Sequence, residues 1–431
     1  MRDFARSDHP GVQAQLDRLG QLSVPDGRLG LETTRALLLR LGDPHTQLPP
    51  VFHVAGTNGK GSTCAFLSAM LEADGKRVHV TTSPHLVRYN ERIRLAGRLI
   101  EDDPLAALLA EVLDAGEDLN PSFFEVTIAA AFLAFSREPA DACVVEVGLG
   151  GRFDATNVLE PDVLAACGIA ALGIDHERFL LAPEEGVPKD PISRIAFEKA
   201  GIAKDGVPLV TLSYDDGSTR EIEHAVMRSG ATLKMRGRNW NMDGAGAELN
   251  YSDQNGLLEL PLPAMAGQHQ AENAALAIAM LRHQDRIPVT PEALSQGMRT
   301  AQWPARMQRL ADGPLAKQRE VWLDGGHNRS AGEAIARHFN GQRVHLIIGM
   351  LDNKDPRALI DPMAERIASL TAVPIPTHAS HPATAFGSST KGASDVPAAL
   401  SALPDDGLPV LIAGSLYLAG EVLRLNHQIP A

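Results

Sequence analysis

Short apolar runs alternate with longer segments of helical periodicity along the first half of the chain. The apolar runs predict strands at residues 51–55, 77–82, 142–148, 162–169 and 207–212, and the periodic segments predict helices at 64–75, 105–119 and 123–135. Residues 142–148 are almost continuously apolar, as expected of a strand inside a parallel sheet. Strands that alternate with helices predict a doubly wound α/β domain, whose ligand lies at the carboxyl ends of the strands.

Three other regions flank this series. Residues 1–49 have helical periodicity, and the polar residues 213–262 predict a few small antiparallel strands. A helix predicted at 271–282 is followed by the proline-rich stretch 285–304, which we expect to be a hinge, although 291–298 also fit a short helix.

A second, smaller α/β series completes the chain. Its predicted strands are 320–323, 344–349, 370–375 and 409–413, and its predicted helices are 331–339, 361–369, 393–400 and 416–425. It has no Gly-x-Gly-x-x-Gly fingerprint, so it need not bind a dinucleotide. We therefore predict a mostly parallel domain over 1–284, a hinge over 285–304, and an open, Rossmann-like α/β domain over 305–431.

The composition is that of an ordinary globular protein of two domains. The 431 residues are 44% hydrophobic and 22% charged, and 53 Asp and Glu against 40 Lys and Arg give a net charge of −13. Such a charge repels nucleic acid and anionic lipid, so we expect neither as a partner. No apolar run reaches membrane-spanning length, and residues 1–10 are too polar for a signal peptide. We also expect a monomer.

The cysteines indicate a reducing compartment. Cys64, Cys143 and Cys167 lie in a predicted helix and two predicted strands, with neither metal-binding spacing nor an even count. Buried thiols fit this distribution best, and we expect a cytoplasmic protein.

The strongest chemical signal is a glycine-rich loop between the first strand and its helix. Backbone N–H groups and a helix N-terminus surround phosphates in this layout, so it predicts a P-loop nucleotide site. Lys60 would place a point charge at the terminal phosphates, and Ser62 or Thr63 a hydroxyl at Mg²⁺. The spacing is unusual, because only Thr57 and Asn58 precede the Gly-Lys pair. A solvated turn with an incidental lysine is the weaker alternative. The predicted nucleotide contacts are Thr57, Asn58, Gly59, Lys60, Gly61, Ser62 and Thr63.

Glu146 stands between two valines in a predicted buried strand, where a lone carboxylate costs several kcal/mol. It could form an ion pair with Arg152 or bind Mg²⁺. The metal is favoured because glycines follow at the carboxyl end of the strand. Ser83 and His176 follow other strands at the same edge. Ser83 is an equally plausible oxygen ligand, and for His176 a ligand role and an ordinary surface role are equally compatible.

Polar residues also follow two strands of the second series. Asp324, His327 and Asn328 accompany two glycines, which fits either a ligand-binding loop or an Asx-capped turn. Ser415 opens a helix whose N-terminus carries about half a positive charge.

Together these motifs resemble the folylpolyglutamate synthase/dihydrofolate synthase family, a branch of the ATP-dependent Mur ligase superfamily. The resemblance runs from about residue 20 to the end. It is carried by five strings in the same order, namely 56–62, 83–86 with 91–93, 146–157, 175–176 and 198–202. Departures are extra residues around 184–191, two more before Asp175, Ala305 in place of the usual glycine, and Arg329 in place of the usual proline.

The resemblance implies a role for each matching residue. Two Mg²⁺ ions would be held by Ser83, Glu146 and His176, with Ser62 near the first, and Lys199 would be carbamylated. Asn273, Arg306 and Asp324 would contact ATP. The pterin pocket would comprise Ser122, Phe123, Phe124, Glu125, Phe153, Asp154 and Ala155, with two phenyl rings offered for stacking. His327 and Ser415 would contact glutamate or phosphate.

The hypothesis is therefore an ATP-dependent ligase that joins dihydropteroate, or a reduced folate, to L-glutamate through an acyl phosphate. Lys60, Lys199, His176, His327 and Ser415 are its candidate catalytic residues. A cell-wall-type amino-acid ligase and a non-catalytic nucleotide-binding protein are the alternatives.

Overall fold

The computed structural model describes residues 6–22, 30–245, 248–317, 319–376 and 378–430. Parts of the predicted N-terminal helical region and of segment 213–262 lie outside the described residues. The chain forms two compact units. The first contains residues up to His85, Tyr89–Ala264 and Gln270–Gln302, and the second contains Leu86–Arg88, Met265–His269 and the residues from Trp303 onward.

The main sheet of the first unit is mostly parallel. Its strands are β1 (Val51–Ala55), β2 (Val78–Thr81), β3 (Ile93–Leu95), β4 (Arg98–Leu99), β5 (Ala142–Glu146), β6 (Leu164–Ile169), β7 (Pro208–Thr211) and β8 (Thr232–Met235). Within the described residues their order is β4-β3-β2-β5-β1-β6-β7-β8. All neighbours are parallel except β3, which pairs antiparallel with β2 and β4. β5 and β1 are therefore central, and their carboxyl ends are adjacent.

Helices cover both faces of this sheet. They are α1 (Pro10–Gln21), α2 (Glu32–Arg40), α3 (Lys60–Ala73), α4 (Asp102–Gly116), α5 (Phe123–Arg137), α6 (Glu177–Leu180), α7 (Pro191–Ala200), α8 (Asp216–Ser229), α9 (Gln268–Arg282) and α10 (Pro291–Thr300). Val51 and Ala55 share one core with α5, whose middle is buried all round. On the opposite face Gly168 leaves room for Met280 of α9. The predicted doubly wound domain is confirmed.

Segment 213–262 differs from the prediction in its first part. It contains the 14-residue helix α8 and the parallel strand β8, and only its later part is antiparallel, with β9 (Trp240–Ala245), β10 (Glu248–Asp253) and β11 (Gly256–Pro261). The helix was missed because its buried stripe is narrow, with Ile222 and Ala225 among mostly polar residues. Its caps were readable, since Asp215 accepts the Ser218 N–H and Gly230 ends the helix at φ +77°.

The predicted hinge contains α10, and the short-helix interpretation of 291–298 is confirmed. α10 packs against α3 within the first unit, so closely that a side chain at Gly297 would strike Met70. The boundaries 284 and 305 stay a prediction.

The second unit is a smaller α/β layer. Its strands are β12 (Gln308–Arg309), β13 (Val321–Leu323), β14 (Val344–Ile348), β15 (Ile367–Ala372), β16 (Lys391–Gly392) and β17 (Val410–Ala413), and its helices are α11 (Arg329–His338), α12 (Arg357–Met363), α13 (Val396–Ser401) and α14 (Leu416–Leu425). The order is β12-β13-β17-β14-β15-β16 in the described part, parallel except for β12. The predicted open α/β sheet is confirmed.

Two predicted helices of this unit were misplaced. The helix expected at 361–369 lies at 357–363, and the strand expected at 370–375 lies at 367–372. Both shift because residues from Ile367 pair with β14, and sheet pairing overrides local helical periodicity. The helix expected from 393 begins at Val396, since Asp395 caps it by accepting the Ala398 N–H.

Among the described residues, no helix combines the length and the apolar character that crossing a bilayer requires.

Candidate active site

The glycine loop after β1 is fastened to the segment that follows β6. The N–H groups of Thr57 and Asn58 both donate to the Ala171 carbonyl, at 2.8 and 3.2 Å. The Thr57 hydroxyl donates to the Gly173 carbonyl at 2.7 Å and accepts the Gly173 N–H at 3.1 Å. These two residues were predicted to contact nucleotide. In the structure their backbone N–H groups hold the loop.

The start of α3 is suited to an anion. Gly59 precedes the helix with φ +86°, and a side chain there would overlap the amide oxygen of Asn273. The N–H groups of the first helical turn, including those of Gly61 and Ser62, have no carbonyl acceptor within the helix and carry partial positive charge. The buried hydroxyl of Thr63 has no hydrogen-bond partner among the described residues. A phosphate chain would satisfy such donors.

Two lysines share one carbonyl of this loop. The Lys60 ammonium donates to the Gly56 carbonyl at 3.0 Å, and the Lys199 ammonium donates to the same oxygen at 2.9 Å. Lys199 is only 4% exposed. Burial, with a smaller effect of the Lys60 charge, lowers the pKa of Lys199 to about 7. A sizeable fraction of Lys199 is therefore an uncharged amine near neutral pH.

Glu146 and Ser83 meet at the carboxyl ends of neighbouring strands. Glu146 ends β5 and is 5% exposed, and its Oε2 accepts the backbone N–H of Ser83 at 3.0 Å. The alternative ion pair with Arg152 is not what the structure contains. The Arg152 guanidinium instead bonds to Glu184 at 2.6 Å and to Glu198 at 2.8 Å. Two of the four predicted metal ligands, Glu146 and Ser83, thus lie together beside the glycine loop.

His176 lies at the rim of a recess next to the loop. It is exposed, has φ +53°, and stands immediately before the short helix α6. Together with Asp175, Lys60, Lys199 and Gly148, it lines this recess. Within the described residues, no three His, Cys, Asp or Glu side chains converge as a ready-made metal site. A cation here would also need hydroxyl, water and phosphate oxygens, which is how Mg²⁺ is usually held.

The loop after Glu146 is supported by a buried chain of hydrogen bonds. Asp154 accepts the Leu149 N–H at 2.7 Å and the Thr156 hydroxyl at 2.5 Å, and the same hydroxyl lies 2.8 Å from His53 Nε2. Burial raises the pKa of Asp154 and lowers that of His53 to about 3. Asp154, predicted to contact pterin, is in the structure a support of this loop.

The other predicted pterin residues fall into two groups. Ser122 and Glu125 form the capping box of α5, with the Ser122 N–H on Glu125 Oε2 at 2.7 Å, and Ala155 lies in the hydrophobic core. The three aromatic residues make ring contacts instead. Phe124 packs over Gly148 in the loop that follows β5, where a Cβ would overlap its ring. The rings of Phe123 and Phe153 lie beneath the guanidinium groups of Arg92 and Arg152.

The predicted site residues of the second unit hold backbone turns. Both oxygens of buried Asp324 accept backbone N–H groups, from Met307 at 2.8 Å and Gly326 at 2.7 Å. Arg306 donates to the Ala305 carbonyl. His327 Nδ1 lies 3.2 Å from the Gly325 carbonyl, Asn328 caps α11, and Ser415 caps α14 through the Tyr417 N–H. The Asx-capped turn considered for this loop is therefore present.

Sequence reasoning missed the ion pairs behind the site. Glu184, Arg194 and Glu198 surround Arg152, next to Lys199. A signal existed, because Arg194 and Glu198 stand four residues apart on one helix. Glu184 had no such signal, since it lies in a loop.

Comparison with known proteins identifies the family. No protein-family model matches the chain. Over 432 aligned residues, however, the chain is 33% identical to the dihydrofolate synthase/folylpolyglutamate synthase of Bacillus subtilis (strain 168), covering 92% of this chain and 94% of the relative. The chain belongs to the dihydrofolate synthase/folylpolyglutamate synthase family.

Solved structures of the dihydrofolate synthase/folylpolyglutamate synthase family have the same fold. E. coli FolC in complex with DHPP and ADP matches with a TM-score of 0.84 at 30% identity, covering 96% of this chain and 97% of that one. A bifunctional folylpolyglutamate synthase/dihydrofolate synthase with Mn, AMPPNP and L-glutamate bound also matches with a TM-score of 0.84, at 29% identity, covering 99% and 100%.

Proposed function

We propose that this chain is an ATP-dependent ligase that joins a pteroate or folate carboxylate to the amine of L-glutamate, releasing ADP and phosphate. The acceptor carboxylate is that of dihydropteroate or of the glutamyl tail of a reduced folate. The observation that carries the proposal is the glycine loop, where Lys60 and Lys199 meet on the Gly56 carbonyl beside the buried Glu146. Family membership supports the choice of substrates.

ATP would bind with its phosphates at the start of α3. The N–H groups of the first turn and the Lys60 ammonium would neutralise the charge of the transferred phosphoryl group. Lys60 donates to the Gly56 carbonyl at 3.0 Å, which places its ammonium at the glycine loop. We assign Asn273, Arg306 and Asp324 as further ATP contacts.

The chemistry of the residues proposed as metal ligands suits Mg²⁺. Glu146, Ser62 and Ser83 offer a carboxylate and two hydroxyls, which are ligands that Mg²⁺ accepts, and few protein ligands are needed when phosphates complete the shell. We assign these residues and His176 to two Mg²⁺ ions. The metal, when bound, supplies further neutralisation of charge on the transferring phosphoryl group.

Lys199 is proposed to be carbamylated. The reaction needs an uncharged amine, whose nitrogen bonds to the carbon of CO₂ and loses a proton to solvent. Burial and a pKa of about 7 make that amine available near neutral pH. The product is a carboxylate that can ligate metal or join its shell. Mass spectrometry of the native protein in ¹³C-bicarbonate tests this, and a K199M variant is the control.

Amide formation requires an activated carboxylate. We propose that an oxygen of the acceptor carboxylate bonds to the γ-phosphorus of ATP as ADP leaves. The uncharged amine of glutamate then bonds to the acyl carbon, phosphate leaves, and the amine nitrogen loses a proton to solvent. The chain's contribution is positioning and charge neutralisation. The pterin pocket is assigned to Ser122, Phe123, Phe124, Glu125, Phe153, Asp154 and Ala155, and His327 and Ser415 are assigned to glutamate or phosphate.

The experiment is an ¹⁸O-transfer measurement with a product assay. Dihydropteroate labelled with ¹⁸O in its carboxylate is incubated with ATP, Mg²⁺ and L-glutamate, and phosphate and pterin products are analysed by mass spectrometry. One ¹⁸O atom is expected in each phosphate released, with one glutamyl residue added per ADP. Glutamylation without label transfer would exclude the acyl phosphate, and absence of glutamylation with dihydropteroate and with reduced folates would exclude the ligase.

A further inference from the structure

Four charged side chains form a compact cluster behind the loop that follows Glu146. We call Arg152, Glu184, Arg194 and Glu198 the arginine–glutamate cluster. Arg152 makes a two-bonded contact with each carboxylate, at 3.0 and 2.6 Å to Glu184 and at 3.1 and 2.8 Å to Glu198. Arg194 reaches the same two carboxylates, each at 2.9 Å. Every member therefore bonds to both members of opposite charge.

The cluster joins two segments that carry the proposed site. Arg152 directly follows loop 148–151, the loop after β5. Its backbone N–H donates to the Glu198 carbonyl at 2.8 Å. Glu198 immediately precedes Lys199, and a side chain at Gly151 would overlap the carbonyls of both residues. Displacement of Arg152 relative to Glu198 would thus shift the loop against the helix that holds Lys199.

Glu184 comes from a third segment, the connection between α6 and α7. Its side chain is 27% exposed, whereas those of Arg194 and Glu198 are 5% and 6% exposed. Hydrogen bonds from Arg152, then from Arg194, lower the pKa of Glu184 to about 2, so it is ionised at neutral pH.

Glu184 is needed to balance the charge of the cluster. Two guanidinium groups face two carboxylates, so the cluster is neutral. Without Glu184, both arginines would compete for Glu198, and one largely buried positive charge would lack compensation. Relief would require Arg152 or Arg194 to move toward solvent, and Arg194 is also held by its Nε bond to the Leu180 carbonyl at 3.1 Å. Arg152, at 22% exposed, is the easier to displace.

We propose that Glu184 is a positioning residue of the ligase: its carboxylate holds Arg152 against Glu198 and thereby fixes loop 148–151 and Lys199 beside the Gly56 carbonyl. This inference rests on the proposed function. Glu184 touches neither substrate nor metal in this account. It acts through Arg152.

The experiment compares three single variants of the full chain. E184Q removes the charge with little change of shape, E184D restores the charge, and E185Q makes the same charge change at the next residue, which is exposed. Two quantities are measured for each. One is kcat and the KM for ATP with saturating dihydropteroate and glutamate, and the other is amide hydrogen exchange across 148–153 and 193–200, referenced to β14.

In E184Q we expect kcat to fall by roughly 5- to 50-fold, with the KM for ATP within about threefold of wild type, because misplacement affects reaction geometry more than binding. Exchange should rise in 148–153 and 193–200 and stay unchanged in β14. E184D should recover part of kcat, and E185Q should match wild type. A purely stabilising ion pair would lower the melting temperature without changing the kcat of folded enzyme.

Wild-type kcat and wild-type exchange in E184Q would overturn the inference, and so would a loss of kcat equal in E184Q and E185Q. If E184Q does not fold, the same exchange comparison is made with R152K, which keeps the positive charge but cannot make paired contacts with two carboxylates. Unchanged protection in both segments of R152K overturns the inference. If the wild-type chain forms no glutamylated product, the proposed function fails, while the exchange measurements still decide whether Glu184 holds loop 148–151.

Discussion

At the residue scale, the Gly56 carbonyl accepts hydrogen bonds from two lysines, Lys60 and Lys199. Only the first could be predicted as a site residue from its local sequence. Both ammonium groups donate to it, at 3.0 and 2.9 Å, although Lys60 and Lys199 are 139 positions apart in sequence. Lys199 is buried, and burial lowers its pKa. The lowered pKa makes the unfolding free energy depend on pH.

Because of Lys199, we expect the unfolding free energy of the wild-type chain to increase with pH between about 7 and 10.5. In the folded state its pKa is lowered to about 7 from 10.5, so unfolding takes up a proton in this window. Below it, Lys199 is protonated in both states and the contribution is constant. Urea unfolding in CO₂-free buffer at several pH values checks this, and K199M should show a smaller rise, since Lys204, whose pKa burial also lowers, still contributes. Identical pH profiles would contradict it.

A second residue-scale prediction concerns the buried Thr156 hydroxyl. T156V removes one of the hydrogen bonds to Asp154 and the partner of His53 Nε2, so we expect a loss of about 1–3 kcal/mol of unfolding free energy. Thr211 provides the control, because its buried hydroxyl has no hydrogen-bond partner in the described residues. T211V should change stability by less than about 0.5 kcal/mol. An equal effect of the two substitutions in urea denaturation would refute the role of the Thr156 bonds.

Local sequence explains Lys60 but not Lys199. Lys60 stands in a strand–glycine–helix pattern whose geometry is encoded within 13 residues, 51–63. The environment of Lys199 depends on packing of α7 against a distant loop, so its periodicity alone indicated a solvated helix lysine, and only family resemblance singled it out. Glu146 lies between these cases. A carboxylate in an apolar strand indicates a functional residue, but the strand does not show whether the carboxylate binds a metal ion or an arginine.

At the element scale, helix α5 shows one side chain with two assigned roles. Ser122 accepts the Glu125 N–H as the helix cap and is also assigned to the pterin pocket. We expect S122A to lower unfolding free energy by about 1 kcal/mol, since the cap is lost. Urea denaturation tests the cap, and the KM for dihydropteroate tests the pocket. Unchanged stability would contradict the capping role.

Strands were predicted better than helix boundaries, for a physical reason. Central strands such as β5 are apolar throughout, because both faces are buried, and this pattern survives without tertiary information. α8 has only a narrow apolar stripe, and the start of β15 resembles a helix until its pairing with β14 is known. The misplaced elements are those whose bounds are set by packing or sheet pairing with residues distant in sequence.

At the scale of the whole molecule, the two units were predictable as α/β layers because alternation of strands and helices extends over the chain. The sequence also predicts a monomer with a net charge of −13. Size-exclusion chromatography with light scattering should give a single species of about 46.0 kDa. A mass twice as large that persists on dilution would contradict a monomer.

The most direct test of the account is glutamate incorporation by the wild-type chain and by K60A. With dihydropteroate, ATP, Mg²⁺ and L-glutamate, the wild type should form a product carrying one more glutamyl residue. K60A should be slower by about 10²–10³-fold or more, because a charge at the transferring phosphoryl group is lost. Its circular dichroism and melting temperature should remain close to wild type. Product formation at the wild-type rate in K60A would contradict the claim that the glycine loop is the site of ATP-driven ligation.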